Sequence, residues 1–262
     1  MPTLVPGSWG ELHEALFGDP WPERAGRYHS TVVHRGAACA AWGLRTSVQR
    51  LGRVERETDL LRNFRRYSRV PFKQQENDWE WITLAQHHGL PTRVLDWTYS
   101  PLVALHFATV DVARHGQDGA VWSADFAEVH RRLPAAVRSQ LEGSGGTAFT
   151  VDLLGRVAPT LERFDALDGE PFMLFFEPPS LDERIVNQYA SFSVLSSAHQ
   201  RTDEWLARAQ PPLLRKVVVP AALKPLVRER LDQANVTERV LFPGLDGLSR
   251  WLTRYYSSPP RR

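Results

Sequence analysis

The side chains of this chain best able to do chemistry stand close together between Gln86 and Ser100. Arg93 offers a planar guanidinium fork that fits a phosphate or a carboxylate. Asp96 is an acceptor, Thr92 and Thr98 bring hydroxyls, and Trp97 and Tyr99 bring flat faces for stacking. His87 and His88 add two groups that titrate near neutrality. The turn at Gly89 and the helix start at Ser100 expose unpaired backbone N–H groups, which suit an anion. The set suits an aromatic ligand that carries phosphate. Each member also has a quieter reading: histidines that satisfy the carbonyls of a helix end, a tryptophan in the core, and Arg93 with Asp96 as a structural ion pair.

The surrounding pattern supplies elements to hold these groups. A helix over 78–88 starts at Asp78 and is stopped by Gly89 and Pro91. A short buried strand follows at 93–95. Ser100 is an N-cap with proline at the first helical position, opening a helix over 101–112 that turns Leu102, Leu105 and Val112 inward. Upstream, Thr31-Val32-Val33 reads as a strand running into His34-Arg35-Gly36, and residues 55–68 as an amphipathic helix. Downstream, strands are expected at 120–126, 147–154, 171–177, 191–195 and 213–219. Asp125 with Glu128 and Ser180 with Glu183 form capping boxes, and two helices close the chain near 222–234 and 245–256. Gly143-Ser144-Gly145-Gly146 reads as a loop within one domain. Helices and strands mix without strict alternation, so the class is α+β.

Composition narrows the function. The chain has 262 residues, 42% of them hydrophobic, enough for one large core, and a net charge of +2 that provides no global attraction to nucleic acid or membrane. Only Lys73, Lys216 and Lys224 are lysines among 32 basic residues. The single cysteine, Cys39, lies among alanines and reads as a buried structural thiol. It excludes an intramolecular disulfide and points to a cytoplasmic protein. No signal sequence and no membrane-spanning run is expected. No metal site is expected either: His87 and His88 project about 100° apart on a helix, and His106 has no partner at zinc spacing. No phosphate loop, Gly-x-Gly-x-x-Gly or Gly-x-Ser-x-Gly motif occurs.

His34-Arg35-Gly36 after a strand, the block from Gln86 to Ala108, Asn187-Gln188 before Ser191-Phe192, and the run Leu241 to Leu248 together resemble the FRG domain. That family is named for an aromatic-Arg-Gly motif, and His34 takes the place of the aromatic. The resemblance covers residues 28–252, leaving 1–27 as an N-terminal segment packed on the domain and 253–262 as a frayed tail. More distantly, the order of motifs resembles the ADP-ribosyltransferase superfamily, which implies a single domain with a split mixed β-sheet core and flanking helices. The resemblance implies that Arg35 and Gly36 hold NAD. It further implies that Thr98 or Ser100 orients the nicotinamide ribose and that Trp97 or Tyr99 stacks on nicotinamide, with His87, Thr92 and Arg93 completing the binding set. Gln188 stands where the superfamily has its catalytic glutamate. Asp96, Glu183 or a histidine of the pair His87-His88 would then supply the function that glutamine lacks.

The leading expectation is an enzyme that consumes NAD, by transfer of ADP-ribose to a macromolecular acceptor or by hydrolysis. By the same resemblance it acts as a toxin or phage-defence effector with an antitoxin partner. The alternative is a non-catalytic nucleotide or nucleic-acid binding module, to which nine tryptophans could contribute stacking faces. The absence of any basic run weighs against nucleic acid as the ligand.

Overall fold

The computed structural model describes residues 2–18, 30–68, 77–180 and 183–257. Eight strands form one mixed sheet: β1 (Thr3–Leu4), β2 (Val32–Ala37), β3 (Leu95–Thr98), β4 (Gly119–Asp125), β5 (Phe149–Thr150), β6 (Met173–Glu177), β7 (Ala190–Leu195) and β8 (Leu214–Val219). Their order is β1-β8-β4-β2-β3-β7-β6-β5, antiparallel except for the two edge pairs β1·β8 and β5·β6. The helices are α1 (Trp9–Phe17), α2 (Ser47–Leu51), α3 (Glu57–Ser68), α4 (Asp78–His87), α5 (Pro101–Thr109), α6 (Phe126–His130) and α7 (Ala135–Ser144). There follow α8 (Val151–Val157), α9 (Leu161–Asp165), α10 (Glu183–Asn187), α11 (Thr202–Arg208), α12 (Lys224–Gln233), α13 (Glu238–Leu241) and α14 (Leu245–Ser257). Strands and helices follow each other without βαβ regularity, as an α+β class requires.

The sheet is two half-sheets joined at one point. β2 pairs with β4 along its whole length, from Val32↔Asp125 to Ala37↔Ala120, and β3 pairs with β7 from Leu95↔Ser193 to Thr98↔Ala190. Between β2 and β3 only His34↔Thr98 is paired. The two strands then part. Val33 and Trp122 on one side and Trp97, Leu95 and Phe175 on the other share a single buried cluster, which bridges the two halves. A second cluster beneath α1, α5 and α12 covers the β4·β8 half, built on Leu12, Leu105, Val121, Val217 and Val227. A third, rich in aromatics such as Trp79, Phe149, Phe164 and Phe176, buries the β6·β7 half under α4, α8 and α9.

Several local expectations shift under tertiary packing. The strand expected over 147–154 keeps only Phe149–Thr150. The Thr150 hydroxyl then accepts the Leu153 N–H and starts α8, whose Val151, Leu153 and Leu154 are buried. Asn77, not Asp78, caps α4. Asp78 instead accepts from Arg65 and from the Leu161 N–H at 2.8 Å. The helix from Pro101 stops at Thr109, and Val112, expected inward, begins a separate 3-10 turn and is exposed. The glycine loop at 143–146 is the end of α7, closed by Gly145 with φ 69°. Asp125 accepts from the Ala127 and Glu128 N–H groups as a cap, whereas the link from Ser180 to Glu183 passes through residues outside those described. Cys39 is half-buried. At the N-terminus β1 joins the sheet edge beside β8, and α1 packs against β8 and shares one apolar cluster with α5 and α12. The chain does not fray at residue 253: α14 runs to Ser257, because Arg254 reaches inward to Glu238 at 2.5 Å and Asp232 at 2.6 Å. Residues 258–262 lie outside those described.

The strand expected at 93–95 begins instead at Leu95, and Arg93 lies in the segment before it. Arg93 is buried, with its backbone N–H and Nε on the Glu57 carboxylate at 2.6 and 2.5 Å and its Nη1 on Asp165 at 2.5 Å. It is therefore a tie between α3, α9 and the start of β3, and not the ligand fork that its local setting suggested. Removing one partner of such a buried pair leaves a charge stranded in the core. Arg93→Leu is expected to lower stability by about 3–5 kcal/mol in urea denaturation; a loss below about 1 kcal/mol, the range of surface pairs, would contradict the structural role.

Three buried histidines bring a pH dependence. Burial lowers the pKa of His34, His106 and His130 to about 4, helped by Arg215 beside His34 and Arg228 beside His106. In the unfolded chain each titrates near 6.5, so between these values the unfolded state binds more protons. Their contribution is complete above pH 6.5 and is lost as the pH falls toward 4, by up to about 1.4 kcal/mol per pH unit for each histidine. Urea midpoints should fall steeply across that window, and a flat profile would contradict the burial of neutral imidazoles.

Candidate functional site

Where β2 and β3 part, a cavity of about 860 Å³ opens. Its wall takes the outer end of β2, the loop 38–45, the end of α4, β3, α5 at Phe107, and α10 with Gln188. That volume lies in the range of sites for nucleotide-sized ligands. Five arginines, Arg35, Arg45, Arg50, Arg184 and Arg201, line it, against two aspartates, Asp96 and Asp111. The lining residues thus carry a net positive charge, although the whole chain is nearly neutral.

Arg35 crosses the gap. Its Nη1 donates to the backbone carbonyl of Asp96 at 2.5 Å, on the strand edge that β2 has left unpaired, and lies 3.7 Å from the Asp96 carboxylate. Burial and the nearby Arg50 lower its pKa while Asp96 pulls the other way; a guanidinium stays charged throughout the physiological range. Asp96 is half exposed to the cavity, its side chain 54% accessible, and accepts the Gln86 Nε2–H at 2.9 Å. Asp111 is spent otherwise, accepting the Ala113 N–H at 3.1 Å and pairing with Arg114 at 3.2 Å.

Gly36 lines the cavity, but its lack of a side chain serves packing. A Cβ there would stand 1.9 Å from the Ala104 carbonyl and 2.8 Å from the Ala108 nitrogen, so the glycine lets β2 lie against the backbone of α5. The neighbouring His34 ring is buried against Ser123 on β4 at 2.9 Å.

The loop after β2 is pinned by two of the chain's lysines. Lys224 Nζ donates to the carbonyls of Ala38 and Arg114 at 2.9 Å, and Lys216 Nζ to that of Ala40 at 2.6 Å. This loop presents Trp42, 47% exposed, with the Arg114 guanidinium 4.8 Å from its ring. Gly43 is packed so closely on Arg201 that a Cβ would stand 2.1 Å from its Nη2. Arg201 itself is held by Asp203 at 2.6 Å.

The structure brings together some of the residues singled out from sequence and separates others. Arg35, Gly36, His87, Asp96, Trp97, Thr98 and Gln188 all touch the cavity. Trp97 does so only from the core: it is buried, its Nε1 donates to Ser193 at 2.8 Å, and its ring meets Phe175, so it offers no stacking face. Tyr99 packs on Tyr189 and Phe126, outside the wall. Its hydroxyl pKa is pushed up to about 12 by burial and by Glu177. Thr98 is committed to backbone, donating to the Gln188 carbonyl at 2.7 Å and accepting the Ser100 N–H at 3.0 Å. Ser100 caps α5 and does not reach the cavity. Thr92 and Arg93 stand behind the wall, and His88 is the exposed C-cap of α4. Gln188 gives an N–H of its side chain to the Leu241 carbonyl at 3.0 Å, which ties the 241–244 turn to the cleft. Glu183, at the start of α10, is not in the wall. His106 lies buried beside Arg228 at 3.0 Å, apart from His87 and His88.

Local reading did not find Gln86, Arg45, Arg50, Arg201 and Trp42. Arg45 and Arg50 flank the capping box of Thr46 and Gln49, a signal that fixes α2 but says nothing of what its flanks face. Arg201 comes from the far end of the chain.

Among the described residues no helix is long and apolar enough to cross a membrane. No curated protein and no solved structure matches the chain. Residues 30–117 match the model of the FRG domain, a shorter span than the 28–252 expected from the motifs. That span holds β2, the pinned loop, Gln86, Asp96 and α5, and so most of the cavity wall. Over this segment, which builds the cleft, the chain is similar to the FRG domain.

Proposed function

We propose that the cleft binds NAD and breaks its bond to nicotinamide, as an ADP-ribosyltransferase or an NAD glycohydrolase, with the parted sheet serving as an ADP-ribosyltransferase-type scaffold. The observation that carries this reading is the arginine-lined cavity with a half-exposed carboxylate, Asp96, beside Arg35. Guanidinium forks suit a diphosphate. Trp42, partly exposed in the cavity wall, offers the stacking face that neither Trp97 nor Tyr99 presents there.

In this reading the glycosidic bond between ribose C1′ and the nicotinamide nitrogen breaks. The bond's electron pair leaves with neutral nicotinamide, and the ribose becomes an oxocarbenium ion. The Asp96 carboxylate stabilises that positive charge, a role the neutral amide of Gln188 cannot take. A nucleophile on a macromolecular acceptor, or water, attacks C1′ and gives up its proton. An antitoxin that blocks the cleft would fit such an enzyme.

The assay follows free nicotinamide from purified protein and NAD, alone and with cell lysate. Release by the protein alone indicates hydrolysis or automodification; release only with lysate indicates transfer. Arg35→Ala should remove NAD-induced thermal stabilisation while the circular dichroism spectrum is kept. Asp96→Asn should leave NAD affinity within about 3-fold and cut turnover by about 100-fold or more, the scale of a lost transition-state charge contact. Unchanged NAD binding by Arg35→Ala, or wild-type turnover by Asp96→Asn, would reject these roles.

A further inference from the structure

We infer that Gln86 is a positioning residue: it orients the Asp96 carboxylate toward the cleft as the last link of a directional hydrogen-bond chain that begins in the buried backbone. The inference rests on the NAD reading of the same cleft.

The direction of the chain follows from its donors. The Val94 N–H donates to Thr92 Oγ1 at 3.1 Å, so the Thr92 oxygen is used as acceptor there. The Thr92 hydroxyl proton then goes to Gln86 Oε1 at 2.6 Å. An amide whose oxygen is engaged in this way must turn its nitrogen outward. That nitrogen donates to Asp96 Oδ2 at 2.9 Å. The base of the chain is fixed as well: the Thr92 N–H donates to Ser47 Oγ at 2.9 Å, and the Ser47 hydroxyl returns to the Thr92 carbonyl at 3.2 Å, locking the segment to α2. Arg35 holds the backbone of Asp96 from the opposite strand. Asp96 is therefore held from two sides, at its carboxylate by Gln86 and at its backbone carbonyl by Arg35, while its side chain stays about half exposed.

Glutamine is the residue type this place needs. It must accept on one side and donate on the other, which a side-chain amide does in its single protonation state. A glutamate would keep the bond from Thr92 but lose the donor and set two carboxylates against each other. A methionine of similar length would make neither bond.

The experiment compares kcat and KM for nicotinamide release, with thermal unfolding as the control for folding. Gln86→Met should lower kcat by about 10-fold with KM within about 3-fold, and Gln86→Glu should lower kcat further. Thr92→Val should lower kcat in the same sense, and Thr92→Ser should restore it. In an Asp96→Asn background Gln86→Met should cost nothing more, since both act through one group. Wild-type kcat in Gln86→Met, multiplicative losses in the double variant, or Thr92→Ser as slow as Thr92→Val would overturn the inference. A readout free of NAD separates it from the reading it rests on: the side-chain amide signals of Gln86 in ¹⁵N-labelled protein should shift in Asp96→Asn and in Thr92→Val. If the wild type releases no nicotinamide, the NAD reading falls and the amide signals alone decide the chain of hydrogen bonds. Unmoved Gln86 signals in both variants would overturn it.

Discussion

The parting of β2 from β3 after one shared pair is the constraint on which the rest of the structure depends. A sheet that opens in its middle exposes backbone groups that would ordinarily pair, and those groups need partners. Arg35 meets this need by donating to the Asp96 carbonyl across the gap. The bond adds a link across the gap and leaves the guanidinium at the cavity wall. The same bond therefore serves the backbone of the fold and the electrostatics of the site.

The two halves are held from below and from behind. The cluster of Trp97, Phe175, Val33 and Trp122 binds them beneath the opening. Gly36 lets α5 lie close on β2. The loop that closes one side of the cavity anchors Leu44 in that same cluster. It is fixed by Lys216 and Lys224, whose ammonium groups, carrying several donors, bind backbone carbonyls. In a chain otherwise rich in arginine, these lysines stand where compact heads must fit among carbonyls. Five of the arginines line the opening.

Much of the frame was legible in local pattern. The strand before Arg35, the helix ending at the histidine pair, and the Ser100-Pro101 start of α5 are set by β-branching, capping and proline, which act within a few residues. Roles fixed by distant partners were not legible. Arg93 looked like a ligand fork because its partners, Glu57 and Asp165, lie 36 and 72 residues away. Trp97 looked like a stacking face because nothing nearby shows that Ser193 and Phe175 enclose it. Thr150 shows the same limit, since the burial of Val151, Leu153 and Leu154 turned an apparent strand into a helix start. Gln86 is illegible for a related reason: its role lies in two bonds, to Thr92 and to Asp96, that only the folded chain brings together.

The central claim is that the opening between the half-sheets is the NAD site. Hydrogen–deuterium exchange of the protein with and without NAD tests it most directly. Binding there protects the end of β2, the 41–45 loop, the last turn of α4, β3 and α10. No change on adding NAD, or protection confined to surfaces away from the parted strands, would contradict it.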